Sequence, residues 1–235
     1  MILVLNFKTY FRKTKDYLKF VNSLKKLKIK NHFWLAFNPY FYLILKRKIK
    51  TKKFKIGIQN LSFLSEKPQT GETVYEFELI NQADFVLLGH SERYRLGENL
   101  EIVKRKIDSL QTTKLKLIIF FSENSYKPKE DFNQVKSLTQ KNLNFLLKDL
   151  KKENFNKVFL CYEPWWAISS EGGKIPSKKF LEDFLNWYKK NYNFPILYGG
   201  SYNSKLKEEY QGLNFDGFVL GRASTQIEEI KKIIS

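Results

Sequence analysis

Cysteine is nearly missing. The 235-residue chain has one, Cys161, and nowhere shows Cys and His together at metal-ligand spacing. A single thiol cannot close an internal disulfide, so the chain reads neither as a stapled secreted domain nor as a zinc-built one. Long apolar runs are missing too. The best, such as Leu117–Phe121, are about strand length, far short of the ~18 residues of a membrane span. The start, Met1-Ile2-Leu3-Val4-Leu5-Asn6, has no basic leader and no small-residue cleavage site, so no secretory signal is expected. No Gly/Ser linker, low-complexity block or repeat of about 20–50 residues divides the chain. Hydrophobic residues make up 43% and charged residues 28%, a balance that supports a buried core and argues against disorder. The expectation is a reduced, soluble, cytoplasmic protein folded as one domain over residues 1–235.

Acidic residues are scarce: 24 Asp and Glu stand against 42 Lys and Arg, a net charge of +18. Such a balance normally raises nucleic acid or an anionic membrane as partner. The cations, however, are 36 Lys and only 6 Arg, whereas phosphate and base recognition favours the planar fork of Arg. Runs such as Lys46-Arg47-Lys48-Ile49-Lys50-Thr51-Lys52-Lys53 read as solvated helix ends and loops. No dedicated nucleic-acid partner and no membrane partner is expected, although attraction of small anions follows from the charge itself. A basic binding protein that uses its surface for RNA or another polyanion stands as the alternative.

Short β-branched and aromatic runs alternate along the whole chain with segments of helical period. The strand candidates are Ile2–Asn6, Phe33–Phe37, Lys55–Gln59, Phe85–Leu88, Leu115–Phe121, Lys157–Tyr162, Phe194–Tyr198 and Phe215–Leu220. Helices are predicted near Thr14–Leu27, Tyr40–Lys50, Glu72–Asn81, Asn99–Gln111, Asp131–Lys152, Ser177–Tyr192, Lys205–Tyr210 and Thr225–Ile233. This alternation argues for parallel strands joined by right-handed crossovers. The fold class is therefore α/β, an eight-stranded parallel (β/α)8 barrel. An open doubly wound sheet is the runner-up, weakened by the lack of a Gly-x-Gly-x-x-Gly after any strand.

In such a barrel all strand C-termini open on one face, so residues distant in sequence converge there. Those positions hold Asn6 and Lys8, Gln59-Asn60, His90, Glu163, Gly199-Gly200-Ser201 and Gly221. Asn6 and Lys8, two apart, share a face, though alone they read as a strand running into solvent. His90 follows Gly89, and Ser91-Glu92 after it suits the start of a short helix. A positive helix end discourages protonation and favours a neutral, donating imidazole. The other histidine, His32, precedes a strand and has no assigned role. Glu163 ends an apolar strand between Tyr162 and Pro164-Trp165-Trp166, and a poorly hydrated carboxylate suits a general base. Two glycine clusters, Tyr198-Gly199-Gly200-Ser201 and Leu220-Gly221-Arg222-Ala223-Ser224, each lie between a strand and a helix, where backbone N–H groups receive phosphate.

These residues resemble the triosephosphate isomerase family from end to end. The matching pieces are Asn6-x-Lys8, Gly57-x-Gln59-Asn60, Thr70-Gly71-Glu72, Gly89-His90-Ser91-Glu92-Arg93, Tyr162-Glu163-Pro164-x-Trp166-Ala167-Ile168, Tyr198-Gly199-Gly200-Ser201 and Asp216-Gly217-Phe218-x-x-Gly221-x-Ala223-Ser224. The resemblance implies interconversion of dihydroxyacetone phosphate and D-glyceraldehyde 3-phosphate in glycolysis and gluconeogenesis, with no metal or organic cofactor. It implies Glu163 as base and neutral His90 as electrophile, the family's own established pairing, with Lys8 and Asn6 on the substrate and Glu92 holding Lys8. Phosphate would take backbone N–H groups of Ser169, Ser201, Gly221 and Arg222. Residues 164–176 would form a lid, latched closed by Tyr198 and Ser201, with Glu123 holding Trp166 in the open form. A homodimer is implied through the 61–83 loop. The 23 residues between Asn60 and Asp84 are long for a connection whose median is about 4–6.

The chain also departs from the family pattern. The lid tip reads Ser169-Ser170-Glu171-Gly172 where the family has Gly-Thr-Gly-Lys. Arg222 replaces the second glycine of the last phosphate loop, Phe120 replaces a customary cysteine, and Ser122 replaces a glycine. No catalytic side chain is removed, so these changes bear on rate and lid motion.

Overall fold

The computed structural model describes residues 1–27, 32–63, 67–76, 78, 80–124, 131–168 and 174–235. Eight parallel strands close into a barrel in chain order. They are β1 (Ile2–Asn6), β2 (His32–Phe37), β3 (Phe54–Ile58), β4 (Phe85–Leu88), β5 (Lys116–Phe121), β6 (Val158–Tyr162), β7 (Ile196–Tyr198) and β8 (Gly217–Leu220). Closure comes from β1 beside β8, with Ile2 opposite Gly217 and Leu5 opposite Leu220.

The strands are near-continuous apolar runs because both faces are buried. Inward positions such as Val4, Phe85, Ile118, Cys161 and Val219 fill the barrel, while Leu3, Leu5, Ile119 and Leu160 pack outward under the helices. The helices are α1 (Thr14–Lys25), α2 (Pro39–Lys48), α3 (Ser91–Arg95), α4 (Leu100–Leu110), α5 (Phe132–Leu147), α6 (Lys178–Asn191), α7 (Ser204–Glu209) and α8 (Ile227–Ile234). Side-chain oxygens of Asn38, Asn99, Asp131, Ser177 and Asn203 cap five of them at the N-terminus, satisfying amides that the helix leaves unpaired.

Two helix expectations are corrected. Glu72–Asn81 was expected to be helical, yet its described residues form a loop ending in a 3-10 turn at Ile80–Gln82. Ser62 holds this segment: its N–H donates to the Thr73 carbonyl at 2.9 Å, and its hydroxyl donates to the Glu72 carboxylate. Those bonds fix an extended path that helical hydrogen bonding cannot follow. The helix expected over Asp131–Lys152 stops at Leu147. The Leu150 N–H turns back to the Leu147 carbonyl, and Gln111 accepts the Lys151 N–H at 2.9 Å, so the chain leaves the helix to enter β6.

Among the described residues, no helix is long and apolar enough to cross a membrane.

Candidate active site

At the C-terminal mouth of the barrel, β1 ends on Asn6, whose side chain is 4% exposed. Its Oδ1 accepts the backbone N–H of Lys8 at 3.2 Å. Lys8 sits at φ 44°, a left-handed conformation that a residue with a Cβ adopts only when its surroundings hold it there. Part of the holding comes from Gln59, whose amide nitrogen donates to the carbonyls of Lys8 (3.3 Å) and Ala36 (3.0 Å). The Lys8 ammonium points at Glu92, Nζ to Oε1 2.7 Å. Burial pushes the Glu92 carboxyl up, but the Lys8 hydrogen bond and the charges of Lys8 and Arg95 outweigh it and hold the group below its usual range.

Gly89 turns the chain from β4 at φ +73°, and His90 then caps α3. Its Nδ1 accepts the Glu92 backbone N–H at 3.2 Å. A nitrogen that accepts cannot carry the proton, so this bond assigns the neutral tautomer with hydrogen on Nε2. Burial pushes the imidazole below its ordinary value, and the Lys8 and Arg95 charges add to this against Glu163 and Glu92. The Phe120 ring lies against the imidazole, centroids 4.9 Å apart. It fits because Gly199 has no side chain: a Cβ there would come within 3.2 Å of the ring and 2.7 Å of the Cys161 sulfur.

Glu163, at the end of β6, is 5% exposed. It rests on the start of α3, where Oε2 accepts the Ser91 N–H and Oε1 the Ser91 hydroxyl, both at 2.9 Å. His90 Nε2 is 3.7 Å from Glu163 Oε1, close enough for one small molecule to touch both.

The glycine loops close the ring. An atom built as Cβ on Gly221 would lie 3.7 Å from Lys8 Nζ, so the last loop's backbone borders the ammonium. The Ser224 hydroxyl donates to the Asn6 carbonyl at 3.1 Å, tying the 3-10 turn Arg222–Thr225 to β1. Arg222 itself is exposed and Ser201 half-buried. Ser169 lies outside the described residues, as does the rest of the lid tip to Gly173.

Glu123 reaches Trp166, as expected, through the backbone N–H, and holds Trp165 as well. Its Oε1 accepts the Trp165 backbone N–H at 2.8 Å, while the Trp166 side chain meets the Tyr162 hydroxyl and the Tyr198 hydroxyl meets that of Tyr210. Burial pushes the Glu123 carboxyl up to about 7 despite hydrogen bonds from the Trp165 and Trp166 backbone and Ser122. The structure also reveals residues that the sequence reading left without a role. Ser91 cradles Glu163, Gln59 clamps Lys8, and the Tyr210 hydroxyl donates to the Pro176 carbonyl at 2.7 Å. Ser91 and Gln59 lay inside quoted motifs; nothing in the sequence singled out Tyr210.

A closed parallel barrel with carboxylate, uncharged imidazole and ammonium at its C-terminal mouth, beside glycine loops, defines a class: phosphate-handling β/α-barrel proteins equipped to pull a proton from beside a carbonyl. Within that class the chain belongs to the triosephosphate isomerase family, whose sequence profile matches residues 1–235. It is 31% identical over 226 residues to the triosephosphate isomerase of Wigglesworthia glossinidia brevipalpis, covering 89% of this chain and 86% of that one. To the triosephosphate isomerase of Mesomycoplasma hyopneumoniae (strain 232) it is 34% identical over 212 residues, covering 88% and 85%. The triosephosphate isomerase of Borrelia garinii subsp. bavariensis matches at 28% identity over 254 residues, 98% of this chain and 96% of that one.

Proposed function

We propose that the chain interconverts dihydroxyacetone phosphate and D-glyceraldehyde 3-phosphate as one catalytic domain over residues 1–235, with the residues above in the following roles. Glu163 removes the proton from the carbon beside the ketone; the electron pair moves into a carbon–carbon double bond, and the carbonyl oxygen becomes the enediolate oxygen. His90 donates Nε2–H to that oxygen and Lys8 sets a positive charge beside it, with Asn6 a further donor. His90 gives its Nε2 proton to the enediolate oxygen and takes the proton of the adjacent hydroxyl, so the former ketone oxygen becomes a hydroxyl and the other is freed to form a carbonyl. Return of the proton from Glu163 to the neighbouring carbon then gives the aldehyde. A positioned base contributes about 10²–10⁴-fold in rate and one oxyanion donor about 2.7–4 kcal/mol, so neither suffices alone. Glu92 holds Lys8 in place. Backbone N–H groups of Ser169, Ser201, Gly221 and Arg222 take the phosphate. Release of Glu163 from Ser91 is part of the cycle, because its carboxylate must turn from the start of α3 to the substrate carbon.

The observation that carries this reading is the 3.7 Å approach of Glu163 to His90, with the Lys8 ammonium reaching the same mouth from β1 to bond Glu92. The test is a coupled assay of triose phosphate interconversion with purified protein. Wild type is expected to turn over both substrates, and Glu163→Asp, whose carboxylate is drawn back by one methylene, to be slower by about a hundredfold. Absence of activity in folded wild type overturns the proposal.

The working form is proposed to be a homodimer joined through the 61–83 loop, in a reducing cytoplasm. A cavity of about 500 Å³ beside the site is bounded by Lys8, His90, Gln59 and Glu72. Leu96 at its edge is 73% exposed, an apolar surface that a second copy would cover. Sedimentation velocity is expected to give twice the 28.0 kDa chain mass; a monomer at assay concentration refutes this part.

A further inference from the structure

The opposite mouth of the barrel, at the strand N-termini, has its own arrangement of charge. Ile118 and Phe120 of β5 point into the barrel, which places Lys116, two residues earlier, on the inner face. On β3, a Cβ at Gly57 would strike the inward Phe85 ring, which places Lys55 inward as well. Both lysine stems lie on aromatic rings that plug the floor. Lys55 Nζ is 5.7 Å from the Trp34 ring centroid and Lys116 Nζ 5.4 Å from that of Phe159, both within cation–π reach. The two rings meet edge to face at 5.0 Å.

Beside this pair is a cavity of about 320 Å³, bordered by Lys46, Thr51, Lys52, Lys55 and Asp84. The backbone N–H of Lys116 donates to the Asp84 carbonyl at 3.1 Å, so Lys116 starts one residue pairing away from the cavity without lining it. Three lysines therefore face one carboxylate, and Asp84 already accepts the Ile56 N–H at 2.7 Å. Among the described residues, Lys46, Lys52, Lys55 and Lys116 have no carboxylate within ion-pair distance. The cost is visible at Lys116, whose ammonium is pushed below its ordinary value by burial and by repulsion from Lys55. Positive charge packed without a partner is relieved by a bound anion, and pinned stems lose little freedom when one arrives.

We propose that the floor of the barrel, at Lys46, Lys52, Lys55 and Lys116, is a binding site for a small oligophosphate anion, separate from the triose phosphate site at the other mouth. Three lysines that border one cavity, with Lys116 close enough to feel the Lys55 charge, match a multiply charged anion better than a single carboxylate. The volume sits at the lower end of the range for small-ligand cavities, about 300–1,000 Å³, and suits a short phosphate chain.

Titration calorimetry of the full chain with pyrophosphate tests this, using wild type, Lys8→Met and the double variant Lys55→Met/Lys116→Met. Saturable binding is expected in wild type and in Lys8→Met. In the double variant it is expected to weaken by about tenfold or more, the size of a lost charge-assisted contact, while triose phosphate turnover is unchanged. Equal binding in the double variant, or none in wild type, overturns the proposal. ATP as a second probe separates two sources of the same chemistry. A parallel loss for ATP assigns the tail of a nucleotide and a loss for pyrophosphate alone assigns the free anion; either sustains the site. Binding of a short single-stranded RNA without binding of pyrophosphate overturns it. If the double variant fails to fold, NMR of ¹³C-methylated lysines in wild type decides. A Lys116 signal that moves with pyrophosphate supports the site, and one that stays put refutes it.

Discussion

Replacing Glu123 by Gln turns the buried carboxylate at the start of the proposed lid into a measurable quantity. The side chain is 2% exposed, and its carboxyl rises from 4.5 to about 7. In the unfolded chain it ionises near 4.5, so between these values the folded protein holds the extra proton. Stability from this group is then complete below pH 4.5 and is lost as pH climbs through 7. At about 1.36 kcal/mol per pH unit the rise is worth about 3 kcal/mol. Gln keeps an oxygen for the Trp165 N–H and cannot ionise, so the variant should lack this pH dependence. His90 works in the opposite sense: its folded value is depressed, so its contribution is complete above 6.5 and is lost as pH falls. It is common to both proteins and cancels in their difference. Urea unfolding of both proteins at equal concentration, from pH 5 to 8, gives that difference directly. The variant should gain about 3 kcal/mol on wild type across the range. A difference that stays flat with pH would show that Glu123 ionises as an exposed carboxylate does, and would refute the reasoning.

Removing the ring against His90, by Phe120→Ala, should let water in and move the imidazole's titration up toward 6.5, followed by ¹⁵N NMR; an unmoved His90 titration contradicts the role given to the ring. Glu98 joins two cations, Lys106 at 2.6 Å and Arg93 at 2.7 Å, and Lys106 is 3% exposed. Glu98→Ala should therefore cost about 3–5 kcal/mol, the price of a buried charge left alone, seen as a lower unfolding midpoint; a loss below about 1 kcal/mol would place the cluster with surface pairs. Arg222→Ala should raise the substrate KM less than Lys8→Met, because the phosphate contact at that loop is assigned to backbone; the reverse order would show that the Arg222 side chain has been recruited.

The barrel was legible because strands buried on both faces must be apolar throughout, and β1 and β4 end where the apolar runs end. The two misread helices failed for reasons outside local pattern. Ser62 reaches across ten residues to hold the Glu72 end of one, and Gln111 reaches from another helix to end the other. Site residues were legible where strand ends announce them: Asn6, Lys8, His90 and Glu163 all lie there, and Lys8 does meet Glu92. Ser91 as the resting partner of Glu163 was not legible, because that contact joins residues 72 apart through the start of a five-residue helix. Glu123 does meet Trp166, but the added bond from Trp165 was not legible, since a backbone N–H leaves no mark on the residue type that bears it. The pairing of Lys55 and Lys116 on the floor was likewise hidden, because lysine is common everywhere in this chain.

Proton transfer itself can be watched by running the conversion of dihydroxyacetone phosphate in D2O and reading deuterium at the second carbon of the product by NMR. Wild type should place deuterium there, and Glu163→Gln should neither convert the substrate nor exchange its hydrogen. Unchanged turnover and exchange in Glu163→Gln would contradict the account.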